Sequence, residues 1–168
     1  LMNLFLWIIA KISKLLYGYE ALNILLRILP SKKINYVLEL FGAKIGNNVR
    51  IKLPFTIHNA DLNNVIYSNL KIGNNVYIGR DCIIDLMDKV VIERDVTISH
   101  RVIFNTHTDL GKSIILKKKY YPSSKGKIII KRGTYVGSNV TILQNVTIGS
   151  NSLIGAFSLV NNDIKSEY

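Results

Sequence analysis

From Ile45 onward the apolar positions recur every six residues. They run Ile45, Ile51, Ile57; Ile72, Ile78, Ile84; Ile92, Ile98, Phe104; then Ile130, Val136, Ile142, Ile148, Ile154 and Val160. Four residues after most of them stands a small or β-branched residue, as at Val49, Val76, Cys82, Val96, Val102, Val140, Val146, Ser152 and Ser158. Neither the 3.6-residue period of a helix nor the two-residue period of a strand produces such a spacing. A hexapeptide repeat instead predicts an all-β repeat fold, a parallel β-helix. Each hexapeptide forms one flat face with its Ile inward, and three faces close a triangular coil. Five such coils stacked at the strand spacing make a prism roughly 24 Å tall. Gly beside the Ile (Gly46, Gly73, Gly79, Gly137, Gly149, Gly155) and the pairs Asn47-Asn48 and Asn74-Asn75 suit corners, where positive φ is needed.

The repeat slips three times. Ile57 to Ile72, Ile84 to Ile92 and Phe104 to Ile130 are longer than one period. The last slip inserts an excursion, expected as a protruding loop over 110–129. It leaves immediately after Phe104-Asn-Thr-His-Thr-Asp109, and a long loop in a compact repeat is where function concentrates.

Before the repeat, residues 1–44 read as a short amphipathic helical segment, followed by the β-helix domain over 45–165. Leu4–Ala10 is apolar but is stopped by Lys11, well short of the roughly 20 residues a bilayer span requires. Leu22, Leu25, Leu26 and Leu29 recur at helical spacing until Pro30 ends the run. Tyr36–Phe41 forms a further helical pattern that stops at Gly42. Two readings fit this segment and are compatible. One is a cap on the end of the prism. The other is peripheral membrane contact through residues 1–30, with Phe5 and Trp7 in the headgroup layer and Lys11, Lys14, Lys32 and Lys33 facing anionic lipid.

Charge sharpens this picture. The chain carries 22 Lys and Arg against 11 Asp and Glu, a formal net of +11. Residues 110–132 hold eight basic residues and no acid, and residues 1–44 hold a further excess. The excursion therefore reads as an electrostatic guide for phosphorylated ligands. Lys117–Lys119 and Tyr120-Tyr121 invite a nucleic-acid reading, but no nucleic-acid-binding motif accompanies them, so none is expected as partner. A hydrophobic content of 48% excludes a disordered polyelectrolyte. The single cysteine, Cys82, has no internal disulfide partner and occupies an inward position, which suggests core packing in a reducing, cytoplasmic compartment. Three His and one Cys argue against a dedicated zinc cage, including the three-His site of a γ-class carbonic anhydrase, and no metal is expected.

His107 is the residue best suited to proton transfer, since it follows inward Phe104 by three positions and sits where the excursion departs. A neutral imidazole has a reference pKa of about 6.5, suited to general base catalysis near neutral pH. Asp109 or Asp85 would orient its ring, and the spacing does not choose between them. Asp85 lies one coil below Asn105 in the stacking register. His58 and His100 read as surface or interface residues.

Ile45 to Ile164 resembles the left-handed β-helix hexapeptide acyltransferases, and among them the maltose, galactoside and exopolysaccharide sugar O-acetyltransferases. The stretches that carry the likeness are Phe41-Gly-Ala-Lys-Ile-Gly46, Ile72-Gly-Asn-Asn-Val-Tyr-Ile-Gly79, Thr106-His-Thr-Asp109, Tyr135-Val-Gly-Ser138 through Val146-Thr-Ile-Gly149, and Ile154-Gly-Ala-Phe-Ser-Leu-Val160 with Asn161-Asn-Asp-Ile164. The resemblance implies a left-handed prism, a homotrimer with clefts between subunits, acetyl-CoA as co-substrate and a sugar or glycan acceptor. It carries the family's catalytic base onto His107. Tyr135 matches a residue walling the cleft, and Gly137, Ser138 and Ala156 match positions around the pantetheine arm. Asn161 and Asn162 stand where Thr and Lys are common near the adenine. The family's acceptor-binding Asn aligns near Asp81 or Gly79, so Asp81 and Asn105 are the expected acceptor contacts. The function this implies is O-acetylation of a polysaccharide precursor at the inner face of the membrane. An N-acetyltransferase of an amino sugar or nucleotide-sugar and a non-catalytic scaffold are the alternatives.

Overall fold

The computed structural model describes residues 2–167. Two helices precede the prism: α1 (Met2–Ile28), interrupted by non-helical backbone at Gly18, and α2 (Ser31–Leu40). Pro30 separates them, its fixed φ ending one helix and opening the next. Thereafter the hexapeptides close into five coils, with each strand hydrogen-bonded in parallel to its equivalent one coil on.

The first face stacks Lys44–Ile45, Leu70–Ile72, Val90–Ile92, Ile128–Ile130 and Thr147–Ile148. Arg50–Ile51, Tyr77–Ile78, Thr97–Ile98, Tyr135–Val136 and Leu153–Ile154 make the second face. The third stacks Phe55–His58, Cys82–Asp85, Ile103–Phe104, Thr141–Ile142 and Leu159–Val160. This is the parallel β-helix that the hexapeptide spacing predicts, consistent with the left-handed prism the resemblance implies. The register aligns the repeated Ile positions across coils, as in Ile78 with Ile51 and Ile98, so the interior is a column of stacked aliphatic side chains. Cys82 is part of that column; burial pushes its thiol up to about 11.

The corners correct one detail of the sequence reading. Positive φ falls on the second Asn of each pair, at Asn48 and Asn75, and on Asp81, Asp95, Asn139, Asn145 and Asn151 at equivalent places. The Gly beside most of these Ile is required for a different reason. A Cβ on Gly73 would meet the backbone N of Arg94 at 2.6 Å, and one on Gly137 the backbone N of Ala156 at 2.6 Å. These glycines let successive coils approach, and none needs left-handed backbone.

Stacked coils leave a strand edge at each end of the prism, with unpaired N–H and C=O groups. Side chains from the helices satisfy part of the first edge. Asn23 Oδ1 accepts the Ile57 N–H and the Tyr19 hydroxyl donates to Ile57 O, while Ser31 Oγ accepts the Ile51 N–H at 2.8 Å and Asn35 Nδ2 donates to Val49 O at 2.9 Å. The slip between Ile57 and Ile72 brings Tyr67 in, fully buried, edge-on to both Tyr19 and Phe41. At the far end residues 163–167 close over the last coil, with Ile164 bridging to Ile148 and Asp163 Oδ1 accepting the Thr147 N–H.

The excursion begins as an antiparallel ribbon, His107–Thr108 against Ser124–Lys125, and carries a short exposed helix, α3 (Ile114–Lys119). It rejoins the prism at Ile128, which is buried and paired with Val90, so the last two residues of the expected 110–129 loop belong to the first face.

Candidate active site

The third corner, where each coil leaves the third face, gathers the polar chemistry. Phe104 fills the interior, and the chain then turns out through Asn105 and Thr106. Thr106 is fully buried. Its backbone N–H donates to Asp85 Oδ2 at 2.9 Å and its hydroxyl to the same oxygen at 2.6 Å, while Thr106 Oγ1 accepts the Asp88 N–H at 3.1 Å. That clamp aims the next residue. His107 Nδ1 lies 2.7 Å from Asp85 Oδ2, and Asn59 Nδ2 donates to Asp85 Oδ1 at 2.6 Å from the coil below.

Asp85 is buried, with 4% of its surface exposed. Burial would raise its pKa, yet the hydrogen bonds from Thr106, Asn59 and His107 outweigh that penalty and hold the carboxyl below its ordinary value. An ionised carboxylate only accepts, so the His107 Nδ1 facing it carries the proton. In the neutral ring Nε2 is then left with its lone pair free to take a proton. His107 itself is half-buried, on the wall of a hollow of about 280 Å³ with Met87, Thr108, Asp109, Ser123, Ser124 and Lys125.

Of the two carboxylates the sequence left open as orienting groups, Asp85 is the one that touches the ring. Asp109 lines the same hollow, but its carboxylate is bonded into the excursion and not to the ring. Its carboxylate accepts from Lys117 Nζ at 2.9 Å and from the Gly111 N–H and Ser123 hydroxyl, and the Lys117 ammonium draws its carboxyl down to about 2. Asp109 thus closes the loop on itself. Thr108 donates to Gln144 Oε1, and Gln144 donates on to Ser124, which ties the base of the excursion to the next coil.

The remaining predicted residues divide between two corners. Asn105 precedes His107 and donates its backbone N–H to Ile142 O. Asn161 and Asn162 stand on the same third corner two coils further on, both exposed. Tyr135 projects from the second face, and Gly137, Ser138 and Ala156 line the second corner with Asp81, which has φ 59. Ser138 Oγ is 2.7 Å from Ser99 Oγ. Within one chain, therefore, the residues matched to the pantetheine arm and His107 lie on different corners. Sequence reasoning missed Asn59, Thr106 and Met87 as parts of the site. Thr106 lay in the Thr-His-Thr-Asp stretch itself, and Asn59 is visible only once the register sets His58 beside Asp85.

Among the described residues, no group of three or more His, Cys, Asp or Glu is placed to hold a metal ion. None of the described helices is long and apolar enough to cross a membrane. A larger groove, about 680 Å³, runs along the bare glycines Gly46 and Gly73, but it contains no imidazole or thiol.

Residues 127–162 match the family described as bacterial transferase hexapeptide (six repeats). No curated protein matches the chain in sequence. Solved structures resemble it over most of its length. The hexapeptide-repeat-containing acetyltransferase VCA0836 from Vibrio cholerae superposes with a TM-score of 0.74 at 19% identity, covering 94% of this chain and 84% of that one. A galactoside acetyltransferase, solved in complex with coenzyme A, gives 0.72 at 26% identity, covering 94% and 74%. A maltose O-acetyltransferase from Clostridium difficile 630 gives 0.70 at 20% identity, covering 95% and 79%. The chain thus carries the bacterial transferase hexapeptide repeat and is similar, over nearly its whole length, to left-handed β-helix acetyltransferases of the hexapeptide-repeat kind.

Proposed function

We propose that the protein is an acetyl-CoA-dependent O-acetyltransferase acting on a sugar hydroxyl of a glycan precursor at the inner face of the membrane, with His107 as general base. The observation that carries this reading is the 2.7 Å hydrogen bond between His107 and a buried, ionised Asp85 at the exit of the excursion. A scaffold has no use for a buried carboxylate whose hydrogen bonds fix one imidazole tautomer.

The acceptor hydroxyl oxygen attacks the thioester carbonyl carbon while His107 Nε2 takes the hydroxyl proton. The C–S bond then breaks, and the same proton passes from the imidazolium to the leaving thiolate, giving an acetyl ester and free coenzyme A. Asp85 keeps Nδ1 protonated and stabilises the imidazolium between the two transfers. Backbone N–H groups or the Ser138 hydroxyl would face the developing oxyanion. Asp81 and Asn105 would contact the acceptor, and Asn161 and Asn162 the adenine end of the donor.

The shape of the second corner supports placing the donor there. Ser138 and Ala156 stack there with little side chain between exposed Tyr135 and Phe157, so an extended pantetheine arm can lie against backbone. Because this corner and His107 are separate within one chain, the reading requires a second copy to complete each cleft, and a homotrimer supplies three. Exposed Ile114, Ile115 and Leu116 on the excursion would pack across that junction.

The test is product analysis. Incubation with acetyl-CoA and a panel of sugars should yield an acceptor bearing one acetyl group that mild base removes. A base-stable product would assign an amine acceptor and N-acetyl transfer. No transfer to any acceptor, despite bound acetyl-CoA, would contradict the reading.

A further inference from the structure

The N-terminal end of the prism combines two features that acyl transfer does not use. The first is the outer side of α1. At 3.6 residues per turn, Leu4, Ile8, Ile12 and Leu15 fall on one stripe, opposite the buried Leu6 and Ala10. The stripe is open, with Leu15 83% and Leu4 59% exposed, and Phe5 and Leu16 widen it. Trp7 lies on its flank, where an amphipathic ring suits a lipid–water boundary. Lys11 and Lys14 are both exposed, and Lys11 falls within about 20° of Leu4 around the helix. Their ammoniums reach over the Phe41 ring, at 5.2 and 5.7 Å from its centroid.

The second feature is a basic trough beside the junction of α1 and α2. A hollow of about 560 Å³ is lined by Ser31, Lys32, Lys33 and Arg50 among others, and one of about 620 Å³ by Ser31, Arg50, Lys52 and Arg80. Ser31 and Arg50 line both, so the two hollows adjoin. No acidic residue lines either hollow. Lys32, Arg50, Lys52 and Arg80 make no ion pair among the described residues, whose salt bridges lie elsewhere, at Asp95, Asp85 and Asp109. Gathering unpaired cations raises the free energy of the folded chain through mutual repulsion, and an anion arriving from outside removes that cost.

We propose that this end of the prism docks on an anionic lipid surface, with the outer stripe of α1 lying in the bilayer interface and the Lys32–Arg50–Lys52–Arg80 trough taking lipid phosphates. The two features together select a bilayer. An aliphatic stripe and a basic trough at the same end of the prism match acyl chains and phosphate headgroups. A second copy meeting this end symmetrically would set the same cations against each other. The inference rests on the membrane-side reading above, but vesicle binding is measured without turnover, so failure of docking and failure of acetyl transfer are distinguishable.

The experiment is co-sedimentation of the full chain with vesicles of phosphatidylcholine alone or with 30 mol% phosphatidylglycerol. Binding should be at least tenfold tighter to the anionic vesicles and be released by 0.5 M NaCl. Arg50→Ala/Lys52→Ala/Arg80→Ala should weaken it about 100-fold, at about fivefold per basic residue near an anionic surface. A matched control, Lys112→Ala/Lys118→Ala/Lys119→Ala, should lose far less. Ile8→Ser/Leu15→Ser should lower binding to both vesicle types. Should the triple variant fail to fold, Arg80→Ala alone and the salt arm read the same dependence. The proposal is overturned if vesicles of neither composition recruit the protein, or if the trough variant matches the control. It is also overturned if inorganic pyrophosphate binds by calorimetry while vesicles do not, which would assign a free phosphate ligand. A stripe variant that changes oligomeric mass and leaves vesicle binding intact would assign the face to a second copy.

Discussion

Gly73 and Gly155 occupy equivalent places beside an inward Ile, yet alanine should act on them oppositely. A Cβ at Gly73 would lie 2.6 Å from the Arg94 backbone N and 2.8 Å from the Glu93 carbonyl carbon. Both obstructing atoms are backbone in the next coil, fixed by the Gly73 N–H to Ile92 O and Glu93 N–H to Ile130 O hydrogen bonds. Neither can move without stretching the ladder, so Gly73→Ala should destabilise by the 1–3 kcal/mol typical of overpacking, about 2. At Gly155, in the last coil, the nearest atom to a Cβ is Ser158 Oγ at 3.8 Å, ordinary contact. Its φ lies outside the left-handed region, so alanine there should be neutral or stabilise by about 0.4–1 kcal/mol through the unfolded chain. For a chain of this size 1 kcal/mol corresponds to about 2–4 °C in Tm, giving a fall of about 4–8 °C for Gly73→Ala. Thermal melts at one protein concentration, with activity at 25 °C as a check on the native fold, measure both. Equal Tm values for the two variants would refute the argument that coil spacing, and not backbone conformation, selects glycine here.

Asp85→Asn can keep the His107 tautomer with its amide oxygen in the Oδ2 place, but its NH2 then faces the Asn59 and Met87 donors and the imidazolium loses its charged partner. The exchange of a charged for a neutral hydrogen bond predicts a fall in kcat of about 5- to 30-fold, read by steady-state kinetics. Asp85→Ala strands the buried Thr106 N–H and should cost roughly 2–4 kcal/mol in urea unfolding as well. The Asp85 carboxyl is held below its ordinary value in the folded state, so its contribution is present above the unfolded pKa of about 3.9 and is lost as pH falls through the lower folded value. The Tm gap between wild type and Asp85→Asn should accordingly narrow below about pH 4. Cys82 is buried and its thiol is pushed up to about 11, so iodoacetamide at pH 8 should label it only after unfolding, as mass spectrometry would record.

The prism was legible in the sequence because its rule is local: a β-helix repeats one environment, and Ile72, Ile78 and Ile84 announce it without any long-range information. The excursion was legible for the same reason, as the place where the period fails between Phe104 and Ile130. Its end was misjudged by two residues because Ile128 and Ile129 are apolar on either reading. What orients His107 was not legible. Asp85 and Asp109 are both acidic and both near in the chain or the stack, and only the burial of Thr106 decides which one faces the ring. The glycines were read as conformational, while the atoms that exclude a side chain belong to another coil and have no trace in the local sequence. The lysines of α1 are exposed, as the sequence suggested, but their contact with an aromatic ring was not legible. Phe41, whose ring their ammoniums reach, is more than twenty residues away.

The central claim is that His107 moves the proton in acetyl transfer. Turnover of acetyl-CoA by the full chain with its best sugar acceptor, compared with His107→Ala, tests it most directly, with calorimetric binding of acetyl-CoA to both measured alongside. The account predicts unchanged donor affinity and a kcat lower by about 10²- to 10⁴-fold in the variant. A variant that binds the donor and turns over at the wild-type rate would contradict it.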